Sequence, residues 1–382
     1  MRQRLLGATL AILAFTIGVI FAGPGFFDEP PRGVNCLSGF IRLSSSNKPE
    51  LIRHSSEHRQ RFCIAASWSG EIETVSTPLT EQYYSGICGQ GETAHEKRIL
   101  LEEIMGAACA GLETRLKVPK AFILYGPKAT NGKSEFINLV REMLLPESHS
   151  AIAPSEISKE QFLTDLMGKV ANLTSELSST LPISSDKMKA VISGDVVSAK
   201  RVYRPVFWFK TGAVHMFAAN TLPTFHDEVD EGIRRRFIVI PFEHKIEECK
   251  IIADIAAKIL KAEMETILSL AVDGAARLVA RGQYSIPRWI FEETSEWFED
   301  VDNLRGWLDA GGLDRLLKRQ DNISYDTAYR EFRVHIQDRD PREWVPRYSV
   351  FKRVVREYVK EDPELDIIRR SEGVRIIERV LV

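Results

Sequence analysis

The chain lacks the cysteine pattern of a zinc ribbon: Cys36, Cys63, Cys88, Cys109 and Cys249 are odd in number and widely spread, and none forms a C-x-x-C pair. This distribution fits a reducing compartment, where the five read as buried or incidental thiols. His54-Ser55-Ser56-Glu57-His58 has the H-x-x-E-H order of some zinc proteases, but its flanks are basic and polar and no third ligand follows. It is expected to be a solvated helical turn. The chain also lacks an excess of positive charge. A net charge of −2 excludes a globally basic nucleic-acid binder, so any contact with nucleic acid must come from local patches.

What is present begins with Ala121 to Phe136, AFILYGPKATNGKSEF. Five β-prone residues break into a Gly/Pro loop, followed by a helix predicted from Ser134 to Leu145. This order reads as a phosphate-binding loop. Gly126, Pro127, Asn131 and Gly132 are expected to surround the phosphates of a nucleoside triphosphate, Lys133 to reach the β- and γ-oxygens, and Ser134 to ligate Mg²⁺. The helix adds its positive N-terminal end to the same anion site. The loop departs from G-x-x-x-x-G-K-[ST] by one residue, because five residues, Pro127 to Asn131, separate the two glycines. That insertion bears on how the cradle closes, and so on affinity and hydrolysis rate.

Four short apolar runs, AFILY, KVANL, AVHMFAA and RFIVIPF, alternate with longer segments and predict an α/β domain with a largely parallel sheet. Upstream, Ala94 to Leu112 has apolar residues at helical spacing, as expected of a helix packed under the nucleotide domain. Downstream, Ile251 to Arg281 reads as one or two long helices compatible with a lid. Tyr325 to Val382 follows the order helix, helix, hairpin, which is that of a winged helix. Lys352, Arg353, Arg356 and Lys360 give its second helix a basic side suited to DNA phosphates. The expected units are a hydrophobic segment at 1–32, an N-terminal region at 33–112, an ATPase core at 113–246, a helical lid or linker at 247–317 and a winged-helix-like domain at 318–382.

Leu5 to Ala22 is an uncharged apolar run behind a basic Met1-Arg2-Gln3-Arg4, the pattern of a signal anchor or signal peptide. Asp28 and Glu29 beyond it would place the nucleotide domain outside, away from cytoplasmic ATP. The run is therefore read either as a membrane-associating segment or as the product of a wrong start codon or a shortened upstream domain, with a cytoplasmic location otherwise expected.

Three further groups follow the loop at distances suited to nucleotide hydrolysis. Glu176, at the end of KVANLTSEL, could polarise an attacking water; Ser175 stands where a second acid is usual, which weakens the expected Mg²⁺ surroundings. Asn220, ending AVHMFAAN, could hold that water or sense the γ-phosphate, although an asparagine there also suits a turn cap. Arg235 and Arg236, before FIVIPF, could send a guanidinium to the γ-phosphate of a neighbouring subunit.

Taken together, LYGP…NGKS, EISKEQFLTDLMGKVANLTSEL, DKMKAVISGDVVSAKRVYRPVFWF, HMFAANTLPTF and GIRRRFIVIPF resemble superfamily 3 helicases, specifically the C-terminal part of phage/plasmid primase-helicases of poxvirus type. The resemblance implies an AAA+-like P-loop core, with Lys133 and Ser134 on ATP and Mg²⁺, Glu176 as catalytic carboxylate, Asn220 as sensor and Arg235 or Arg236 as arginine finger. It also implies a homo-hexamer around single-stranded DNA, with Lys200, Arg201 and Tyr203 in or beside a hairpin facing the channel, duplex DNA at the winged helix, and a separate primase as a partner. No metal-binding primase signature precedes Gly33, so primer synthesis is not expected. Two other readings stay open: an ATP-binding replication factor with little hydrolysis, and an inactive prophage remnant bearing a membrane segment.

Overall fold

The computed structural model describes residues 26–27, 29–45, 48–70, 77–127, 130–177, 183–225, 229–339, 345, 348–370 and 373–378. The apolar run at 5–22 lies outside them. Among the described residues, no helix is long and apolar enough to cross a membrane.

A small antiparallel sheet comes first, formed by β1 (Gly33–Cys36), β2 (Gly39–Arg42) and β3 (Glu50–Ile52). The H-x-x-E-H segment folds as a short 3-10 turn over Ser56–His58, and the His58 ring stacks 4.1 Å from that of Phe40. Helices α1 (Pro78–Cys88) and α2 (Glu92–Ala110) follow. The central unit then runs β4 (Ala121–Tyr125), α3 (Lys133–Met143), β5 (His149–Ser150), α4 (Glu160–Leu163), β6 (Ala171–Thr174) and α5 (Ser185–Ser193). A hairpin of β7 (Val196–Lys200) and β8 (Val206–Lys210) precedes β9 (Val214–Ala219), α6 (Glu231–Arg234) and β10 (Phe237–Pro241).

The expected α/β class and parallel sheet are present: five strands run parallel in the order β10-β4-β9-β6-β5. The apolar runs are continuous because the sheet is buried on both faces. Phe122, Leu124, Met216 and Ile238 belong to one core with α2, α3 and the later helix α7 (Ile255–Arg281). Their neighbours in sequence, Ile123, Phe217, Phe237 and Val239, belong to the other, with α5 and helix α8 (Arg288–Asp309). Helix α3 stops earlier than expected, at Met143. Leu144 and Leu145 are extended, as the proline at 146 requires of the residue before it.

Helix α7 packs into the first core against α2 and α3, and it bends at Glu263 (φ −133°, ψ 26°). The bend has a purpose in packing. The buried Glu263 carboxylate accepts the backbone N–H groups of Leu79 at 3.0 Å and Thr80 at 2.8 Å, capping α1, whose own Thr77 side chain makes no cap bond.

The remaining elements are α9 (Gly312–Leu317), β11 (Ile323–Ser324), α10 (Tyr325–Arg339), α11 (Tyr348–Glu361), β12 (Leu365–Arg370) and β13 (Gly373–Glu378). β13 pairs antiparallel with both β12 and β11, and a third core forms beneath them. Helix α8 serves all three cores, with Ile290 in the first, Trp297 and Phe298 in the second, and Leu304, Trp307 and Leu308 in the third. One expectation is corrected here. Arg353 is only 7% exposed, among Phe351, Val354 and Val355, so it does not share the basic side of α11. Residue 353 falls in the same arc of the helix as Arg356 and Lys360, three and seven positions on, so packing against the rest of the unit, not helical spacing, withdraws it from the exposed basic surface.

Replacing Glu263 by Ala leaves two buried N–H groups without an acceptor and should lower unfolding free energy by about 1–3 kcal/mol in urea melts, with Gln intermediate.

Candidate functional site

Parallel strands deliver their exits to one edge of the sheet, where α/β proteins hold ligands. Tyr125 of β4 is in register with Ala219 of β9 and Pro241 of β10, and Thr174 of β6 with Phe217. The residues that leave these strands therefore meet. Gly132, Lys133, Ser134, Ser175, Glu176 and Asn220 line one cavity of about 360 Å³, with Asn131 also at its wall.

The loop is braced from within. Gly132 has φ +78°, a left-handed conformation that turns the chain into α3, and a Cβ there would approach Ile87 Cγ2 of α1 to 2.3 Å. Its carbonyl accepts the Tyr83 hydroxyl at 3.0 Å, so α1 grips the loop. Asn131, only 3% exposed, donates its amide to the Phe242 carbonyl at 3.0 Å, which ties the loop to the exit of β10. The Lys133 amine donates to Gly126 O at 3.1 Å and Asn131 Oδ1 at 3.3 Å. Burial pulls this amine below the usual lysine range, and the nearby Glu176 carboxylate opposes that shift. Ser134 donates to the Ser175 carbonyl at 3.5 Å, joining the loop to β6.

Gly126 and Pro127 are not part of the cavity wall. Gly126 is buried and supplies the carbonyl that holds Lys133, while Pro127 is exposed. Residues 128–129 of the loop lie outside those described. A second cavity, of about 590 Å³, shares Thr130, Gly132 and Glu135 with the first and is lined further by Gln82, Tyr83, His244 and Ile252. Sequence reading missed this recess, because helix 78–88 reaches the loop only through tertiary packing and has no motif spacing of its own.

Arg235 and Arg236 lie elsewhere. They precede Phe237, which pairs with Ala121, at the entry edge of the sheet and a five-residue strand, about 16 Å, from the loop. Neither is positioned to reach its own chain's cavity. They also differ: Arg236 donates to Ser193 Oγ through Nε at 2.8 Å and to Gly232 O at 2.6 Å, whereas the Arg235 side chain is exposed. The Arg235 carbonyl accepts the Lys120 amine. The N–H of Lys120 and the hydroxyl of Tyr284 in turn donate to the buried Glu113 carboxylate.

Lys200, Arg201 and Tyr203 occupy the far end of the β7–β8 hairpin, whose tip is 201–205, and Arg204 joins them. Tyr203 is 99% exposed with φ +59°. Lys189, upstream, is on α5, where Asp186 and Asp230 each bind its amine at 2.7 Å.

A family model described as "Family of unknown function (DUF5906)" matches residues 124–236. No curated protein matches the chain. Among solved structures, the chain is similar to the A form apo structure of the NrS-1 C-terminal region, at 12% identity and a TM-score of 0.42, over 80% of this chain and 76% of that one. It is also similar to a ligand-bound JCV helicase, at 13% identity and a TM-score of 0.27, over 61% of this chain and 66% of that one. These likenesses are loose, and the reading of the cavity rests on its own geometry.

Burial pushes the Glu113 carboxyl up from 4.5 to about 7. The folded chain thus keeps a proton that the unfolded chain releases near 4.5. The associated stability is full below that pH and is lost as pH rises through about 7. Urea midpoints should accordingly fall across this window in the native sequence, and Glu113→Gln should flatten the decline.

Proposed function

We propose that the chain is an ATP-hydrolysing DNA helicase of superfamily 3 type that acts as a ring of subunits. One observation carries the reading: an NGKS loop at a helix N-terminus, a carboxylate at the exit of β6 and an amide at the exit of β9 all line one cavity. The orphan N–H groups of the first turn of α3 and the Lys133 amine suit a triphosphate. On binding, the amine leaves Gly126 O and Asn131 Oδ1 for phosphate oxygens. Ser134 would hold Mg²⁺, which supplies charge neutralisation at the β- and γ-phosphates. Glu176 orients and polarises the attacking water, and Asn220 fixes its position. The adjoining recess under Tyr83 and His244 accommodates base and ribose.

The arginine must then come from a neighbour. Arg235, exposed at the entry edge, suits that role, and the bonds of Arg236 to Ser193 and Gly232 suit a brace. DNA is taken up by Lys200, Arg201 and Tyr203 at the hairpin tip within the ring, and by Lys352 and Arg356 of α11 against duplex. The binding-factor reading also has a specific observation in its favour, since Ser175 offers no second carboxylate beside Glu176.

Phosphate release with and without single-stranded DNA tests both readings. Lys133→Ala should abolish turnover. Arg235→Ala should keep ATP binding and lose at least about 10³-fold in rate, whereas Arg236→Ala should chiefly lower thermal stability. Mixing the inactive Lys133→Ala and Arg235→Ala proteins should restore some hydrolysis, because mixed interfaces pair an intact loop with an intact arginine; no restoration would sink the shared site. ATP binding without DNA-stimulated release in the native sequence would favour the binding factor.

A further inference from the structure

A third recess, of about 970 Å³, lies at the opposite edge of the sheet from the nucleotide cavity. Its walls come from segments that enter the strands: Thr114 and Arg115 before β4, Lys169 and Val170 before β6, and Thr211 and Gly212 before β9. Residues 59–64, from the N-terminal region, close one side, and the base of the β7–β8 hairpin closes the other.

Five cations line it, Arg59, Arg61, Arg115, Lys169 and Lys210, against one carboxylate among the lining residues, Glu29. Three of them are oriented by backbone carbonyls. Arg59 donates to Glu29 O, Arg115 to Pro30 O at 2.9 Å and Lys169 to Glu147 O at 2.7 Å. Such bonds fix a cation without cancelling its charge. Burial lowers the Arg115 guanidinium from its usual range, and Arg32 and Arg59 lower it further while the Glu29 carboxylate opposes them. The recess also presents aromatic surface. Trp208 of β8 is 68% exposed, and Phe62 lies on the facing wall.

Clustered cations with an open indole fit phosphates joined to a stackable base. A free nucleotide offers the same chemistry, but two features favour a strand. The cations extend from Arg59 on one wall to Lys210 on the other, and Lys210 and Trp208 belong to the same hairpin whose tip carries Lys200, Arg201 and Tyr203. We propose that this recess is a second, separate holding site for single-stranded DNA, with phosphates on Arg59, Arg115, Lys169 and Lys210 and a base stacked on Trp208. The proposal rests on the DNA-motor reading, and places strand contacts at the entry edge of the sheet in addition to the hairpin tip.

The test is fluorescence anisotropy of labelled oligo-dT with the full chain over a salt series, beside DNA-free ATP turnover. Trp208→Ala should weaken binding about 5- to 150-fold, the range for removal of one base stack. Lys169→Ala with Lys210→Ala should reduce the slope of log affinity against log salt by about 0.7 for each phosphate left without its lysine. DNA-free turnover and melting temperature should stay as in the native sequence for both. The proposal is overturned if these variants bind oligo-dT with native affinity and slope while Arg201→Glu abolishes binding, a result that leaves the motor reading standing. It is overturned equally if dTMP competes as well as oligo-dT, which would make the recess a mononucleotide site. Absence of oligo-dT binding by the native chain would remove both the recess proposal and the motor reading.

Discussion

Burial of the central sheet on both faces, with every strand pointing the same way, is the constraint from which the other features follow. Because β4 is locked between β9 and β10, the residues that leave these strands have no choice of neighbour. A slip of one residue would exchange Phe122 and Leu124 with Ala121 and Ile123 between the two cores. It would also separate the Phe242 carbonyl from Asn131 and so loosen the loop. The cavity is thus a by-product of register: its loop, carboxylate and amide are close in space because apolar side chains several residues earlier are packed.

Much of this was readable from sequence. Continuous apolar runs such as AFILY and FIVIP announce strands buried on both sides, and NGKS after such a run marks the turn into a helix. Glu176 and Asn220 could be singled out because each closely follows an apolar run, Glu176 three residues after KVANL and Asn220 directly after AVHMFAA. What escaped had no local signature. The edge strand β5 has two residues, too few for any period. The contacts of Tyr83 and Ile87 with Gly132 join segments more than forty positions apart, and Glu263 caps a helix 184 positions upstream of it. Arg353 was misjudged for a different reason: four basic residues in one arc of a helix suggest one exposed face, and spacing carries no sign that tertiary packing covers 353.

The two edges of the sheet have different characters. At the exit edge, small polar groups surround a pocket at a helix N-terminus; at the entry edge stand arginines and lysines, of which Arg235 is exposed. The entry edge is ordered by polar groups of its own. Lys120 holds the Arg235 carbonyl, and a buried carboxylate on Glu113 ties Lys120 to Tyr284 at the end of the first-core helices. This separation means that one chain presents the loop cavity and an exposed arginine in opposite directions, as the proposed head-to-tail ring requires.

Helix α8 has a mechanical meaning beyond its place in three cores. β10 is the outermost strand of the sheet, and its outer side is covered by α8, where Thr294 Oγ1 accepts the Val239 N–H at 2.9 Å and Trp297 packs 5.9 Å from the Phe237 ring. Ten residues farther on, Trp307 is embedded in the C-terminal unit beside Phe332 and Phe351. A helix of 22 residues is a stiff rod of about 33 Å. Pivoting about its middle, it displaces each end by about 0.3 Å per degree. A rotation of α8 about its middle would therefore move its β10-covering end and its C-terminal end by equal amounts in opposite directions, which couples the edge strand to the C-terminal unit.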